Sequence, residues 1–140
     1  MTMDYARAFA VSAAGMTVER TRVEVASANL ANAQSAHHPA AAGYQPLRVI
    51  SQAIPVTFSD LLESSIPMAV LEPMAVASRL VQEPGHPLAN EQGFVAYPGV
   101  DPATEMVSLM TAMRSYEANV AAMNTARALA LKTLEIGKGS

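Results

Sequence analysis

Any catalytic or metal chemistry here would have to begin with three histidines, His37, His38 and His86. An adjacent His37–His38 pair could hold a metal ion, and a small metal-dependent enzyme would recruit His86 as a further ligand. No H-x-x-x-H spacing on a helix supplies that set, and cysteine is absent, which removes thiol ligands and disulfides alike. The serines lie in no G-x-S-x-G elbow, and the seven glycines form no phosphate-cradling loop. Glu83, Glu91 and Asp101 fall in turn-rich sequence with nothing to fold them into a carboxylate pair. Met106, Met110, Met113 and Met123 share one candidate helix, where thioethers serve as adaptable packing before they serve as ligands. The residues therefore predict no catalysis, no metal and no cofactor.

Composition points towards assembly. Hydrophobic residues make up 51% of the 140 and charged residues only 15%, against about 25% in an average soluble protein. A lone chain of this kind has little polar surface to offer, which favours burial by other subunits; a mildly polar, Ala-rich helical protein fits the same numbers. The net charge of −3 and the absence of a basic cluster exclude nucleic acid as a partner on electrostatic grounds. No segment is long and apolar enough to span a bilayer, and no direct lipid binding is expected. Arg7 followed by AFAVSAAGM (8–16) faintly resembles a secretory leader. Asp4 and the short, Ala-rich run argue instead for an amphipathic helix that continues past it.

The elements that would position any site divide by proline. Eight of nine prolines lie between Pro39 and Pro98, and the ninth, Pro102, suits the first position of a helix. Asp101 is its expected N-cap, Glu105 sits in its first turn, and Gly137 is expected to terminate it. Met106, Leu109, Met113, Tyr116, Val120, Met123, Ala130 and Leu134 then recur at alternating spacings of three and four, broken at Arg127. Such a helix is ~50 Å long, too long for the core of a small domain.

Residues 4–31 carry a second stripe. Phe9, Met16, Val23 and Leu30 fall seven apart, with Arg20 and Ser27 on the same line. Asn29 and Asn32 mark its end, where asparagine caps helices or takes a left-handed conformation. Between the helices, Leu47–Ile54, Val56–Phe58, Ala69–Leu71, Ala75–Val81 and Phe94–Tyr97 read as short strands broken by Pro55, Pro67 and Pro73. Ser59–Ser64 reads as a helical turn, and 34–46 as a loop. The expected fold class is mainly α: long N- and C-terminal helices paired as a coiled coil, joined by a proline-rich connector with short β-hairpins. The division is 1–33, 34–100 and 101–140.

Three segments then carry a resemblance. ANLANAQS (28–35) resembles the Asn-Leu-Ala-Asn motif that ends the first helix of bacterial flagellar rod and hook proteins. EPGHPLANEQGFVAYPGVD (83–101) resembles the connector of proximal-rod members, with Gly99 where asparagine is usual. MRSYEANVAAMNTARALALKTLEIGK (113–138) resembles the terminal helix of the family. The chain is thereby identified as a member of the flagellar axial rod and hook family.

Several expectations follow from that resemblance. The protein would be a structural subunit of the basal-body rod, part of the drive shaft and export channel. It would leave the cell through the flagellar type III export apparatus without a cleaved signal peptide and polymerise in the periplasm. Its partners would be copies of itself and the rod proteins FlgB, FlgF, FlgG and FliE. Phe9, Met16, Val23 and Leu30 would meet Leu109, Met113, Tyr116, Val120, Met123 and Leu134 in an intra-chain seam. Asn29, Asn32, Val107, Met110, Leu129 and Leu131 would face other subunits. The rival is a soluble helical-hairpin binding module, such as an export chaperone or adaptor, which predicts a small stable oligomer and no polymer.

Overall fold

A computed structural model describes residues 2–53 and 67–138. Helix α1 spans Thr2–Asn32 and helix α2 spans Pro102–Lys138. Between them lie β1 (Leu47–Ala53), β2 (Pro67–Pro73), β3 (Arg79–Gln82) and β4 (Phe94–Tyr97). β1 pairs with β2 and β3 with β4, each pair forming its own two-stranded sheet. The molecule is mainly α with two long terminal helices and small β elements between them.

Local chemistry explains the boundaries. At the start of α2 the Asp101 carboxylate accepts from the Ala103 amide at 3.2 Å and from the Thr104 hydroxyl at 2.6 Å. These bonds hold its carboxyl below the ordinary aspartate range, the Thr104 bond first and the Ala103 amide second. α1 has no proline after its start, and its Thr17 and Thr21 hydroxyls donate back to the carbonyls of Ala13 and Thr17. It ends where the Asn32 side chain donates to the Ala28 carbonyl at 2.8 Å and the Ser35 amide and hydroxyl both donate to Asn32 O.

Some expectations are corrected. Gly137 does not end α2, which continues through it to Lys138; no neighbour lies near Gly137 to impose a turn. The strand expected at Ala69–Leu71 is longer, with Pro67 and Pro73 as its end residues, since a strand end needs no donor. β3 begins only at Arg79; before it the Met74 amide donates to the Pro46 carbonyl and the Val76 amide to the Met74 carbonyl. Val56–Phe58 and Ser59–Ser64 lie outside the described residues.

The chain forms two compact units, one drawn from two segments and the other from three. One takes Arg22–Val49 and Leu71–Met110. It contains the β3–β4 hairpin, antiparallel with Arg79 opposite Tyr97 and Gln82 opposite Phe94. Asn90 shapes the approach to β4: its side-chain oxygen accepts from the Gln92 and Phe94 amides at 3.0 and 2.9 Å. Gly93 then takes φ +80°, with Pro84 packed where a Cβ would go. Val95 and Ala96 of β4 and Pro98 just after it are buried, and His37 adds a single bridge to Ala96 on the other edge of β4.

The other unit takes its residues from Met1–Thr21, Ile50–Val70 and Thr111–Ser140. Here the two helices run antiparallel. Tyr5 Oη lies 3.2 Å from Thr133 Oγ1, and a Cβ on Gly15 would stand 3.0 Å from the Asn119 carboxamide. Gly15 thus has a packing reason to sit mid-helix, where glycine otherwise costs about 1 kcal/mol relative to alanine.

Candidate functional site: a buried asparagine hub and an uncovered helix face

Asn29, expected at the subunit surface, is 1% exposed. Its Nδ2 donates to the Leu47 carbonyl at 2.8 Å and to Glu105 Oε1 at 3.2 Å. Its Oδ1 accepts from the Tyr44 hydroxyl at 2.9 Å and the Leu47 amide at 3.1 Å. Two donors and two lone pairs are the full capacity of a carboxamide, so every one is used. One side chain therefore joins the last turn of α1, the entry to β1 and the first turn of α2. Burial first, and then the nearby Glu105 carboxylate, push the Tyr44 hydroxyl above its ordinary pKa.

The residue types at the end of α1 suggested only a cap. Asn32 behaves as one, half-buried and bonded to its own helix. Nothing in local sequence distinguishes Asn29 from it, because three of its four bonds are to residues 15 to 18 positions away and one is to a residue 76 away. The histidines are absorbed locally. His38 Nδ1 accepts from the Ala40 amide and His86 Nδ1 from the Leu88 amide, both at 3.1 Å. The His37 ring packs on Gly43, where any Cβ would collide with it. Among the described residues, no three of His, Asp and Glu gather as a metal site.

The helix stripes are placed differently from the heptad reading. Phe9, Met16, Val23 and Leu30 are half-buried on α1, where Val18, Val25 and Ala26 go deepest. On α2, Leu109, Val120 and Met123 are half-buried, but Met113, Tyr116 and Leu134 stand 48%, 40% and 62% exposed. Ala112 is fully buried, and Ser115, Asn119, Ala126 and Ala130 are half-buried like Leu109, Val120 and Met123. Small side chains let two helix backbones approach closely. Val107, Met110, Leu129 and Leu131 are exposed, as are Met106 and Ile136. α2 accordingly buries a mixed line of small and large side chains and leaves much of its apolar bulk uncovered.

Two long terminal helices with much apolar surface uncovered on the second are the features to set beside known proteins. Residues 91–136 match the family described as "Flagellar basal body rod FlgEFG protein C-terminal". Over nearly its whole length the chain is similar to flagellar basal-body rod proteins FlgC. It is 38% identical to that of Escherichia coli O6:H1 over 138 residues, covering 93% of this chain and 96% of the relative. It is 37% identical to that of Bacillus subtilis (strain 168), covering 91% and 95%, and 36% identical to that of Salmonella typhimurium, covering 93% and 96%. The chain belongs to the flagellar basal-body rod protein FlgC family. It is a structural subunit of the flagellar basal body and not an enzyme.

Proposed function

We propose that this chain polymerises through its terminal helices into the proximal part of the rod, forming part of the drive shaft and of the wall of the export channel. The observation that supports this reading is the outward bulk of α2. Met106, Met110, Met113, Leu129, Leu131 and Leu134 are each about half exposed or more, and fully burying one such side chain is worth roughly 1.5–3 kcal/mol. A soluble adaptor would leave that surface a liability, whereas a rod subunit covers it with neighbours. The antiparallel helices act as a coiled coil whose intra-chain seam uses Phe9, Met16, Val23, Leu30, Leu109, Val120 and Met123 together with the small inward residues of α2. The exposed Met113, Tyr116 and Leu134 join Val107, Met110, Leu129 and Leu131 on the subunit interface.

The partners are copies of the chain and the rod proteins FlgB, FlgF, FlgG and FliE. The route is the flagellar type III export apparatus, without a cleaved signal peptide, to a periplasmic rod. Met110→Asp tests the reading. The side chain is exposed in the subunit, so the variant is expected to fold with normal helix content yet fail to enter basal bodies, because an unpaired charge buried in an interface is very costly. Normal swimming of the Met110→Asp strain would overturn the interface. An intact amino-terminal sequence in subunits taken from rods would support export without cleavage.

A further inference from the structure

We propose that the open groove bounded by Arg7, Ala8, Val11, Ser12 and Ala122 is the seat for the Leu131–Leu134–Glu135 edge of a second copy of this chain. The proposal rests on the rod-subunit reading above and names one contact within it. The groove, about 540 Å³, is lined by the small or short side chains of Ala8, Val11, Ser12 and Ala122 and by one cationic residue, Arg7. Leu131, Leu134 and Glu135 fall at i, i+3 and i+4, so they stand side by side on α2. All three are exposed, the two leucines at 52% and 62%. The fit is a small-lined recess for two leucine side chains, with a carboxylate carried beside them to meet a guanidinium.

Charge selects this edge over its neighbour. Leu129 and Ile136 form a second exposed edge, but Lys132 lies between them and would face Arg7 with like charge. Arg127 also lies towards the Leu131 edge, but ~12 Å along the axis from Glu135, too far to stand against the same side chain. Recess and edge are different patches of one chain. Their union is therefore heterologous and propagates head to tail instead of closing a symmetric pair.

The absence of cysteine makes the test clean. Cells producing a Val11→Cys copy and a Leu131→Cys copy together are oxidised, and their basal bodies are isolated. A disulfide-linked dimer of this chain is expected, absent when either variant is produced alone. Pairing Val11→Cys with Leu129→Cys is expected to give little product. Adding Arg7→Glu or Glu135→Arg alone should cut the yield roughly tenfold, and the double reversal should restore it. Intact rods containing the chain but no such dimer, or a cross-link only to another rod protein, would overturn this contact and leave the rod reading standing. Absence of the chain from rods would overturn both.

Discussion

The two ends of α2 are finished in opposite ways. Its first turn is held by the Asp101 cap, by Pro102 and by Glu105, which the Asn29 hub takes into its hydrogen bonds. Its last turns, 131–137, are exposed throughout and pass through Gly137 without a terminating turn. The first end is specified by groups inside the chain. The second carries leucine and isoleucine into solvent, with the Tyr5–Thr133 hydroxyl contact as its tie to α1.

The largest effect should come from breaking the specified end. Asn29→Leu strands the Leu47 amide and carbonyl, the Tyr44 hydroxyl and the Glu105 carboxylate in a buried place. We expect a loss of about 2–4 kcal/mol in chemical denaturation. Leu131→Ser at the other end should change subunit stability by less than about 0.5 kcal/mol while still impairing rod assembly. Equal losses from the two variants would erase the contrast.

A smaller loss is expected from Gly93→Val. The left-handed φ and the nearby Pro84 both resist a branched side chain, and the cost should be about 1–2 kcal/mol, confined to the hairpin unit. Titration sharpens the comparison from both sides of neutrality. The Asp101 carboxyl is lowered on folding, so its contribution is present above about pH 4 and fades as pH falls through the depressed value. Tyr44 is raised, so its contribution is whole below about pH 10 and fades as pH climbs through the elevated value. Thermal melts of Asp101→Asn and Tyr44→Phe should lose those acid and alkaline dependences respectively.

The smallest effect belongs to the unspecified end. Gly137→Ala meets no neighbour and should raise helix content of the last turn, with a gain of at most about 1 kcal/mol, visible by circular dichroism. The hub should be unaffected.

Much of this was legible in the residues. Proline placement separated the two helices from the middle of the chain, and Asp101-Pro102 located the start of α2 to the residue. Phe94–Tyr97 read correctly as a strand, and the structure shows Asn90 and Gly93 making the turn before it. Two things did not show. The inward positions of α2 mix Leu109, Val120 and Met123 with Ala112, Ser115, Asn119 and Ala126, and a hydrophobic periodicity gives the small and polar ones little weight. The face chosen depends on how closely the helices approach, as at Gly15 and Asn119. Asn29 and Asn32 look alike in sequence, and only the fold brings Tyr44, Leu47 and Glu105 to the first of them.

The Asn29 carboxamide also has a kinetic consequence. Because it closes four bonds to two separated segments, Tyr44–Leu47 and the first turn of α2, neither can open alone without stranding the other. The Leu47 amide should then exchange with deuterium only when the whole unit opens, and it should rank among the slowest in the chain. The amides of residues 131–137 should exchange within the dead time of the same measurement in the free subunit and slow sharply once neighbours cover them.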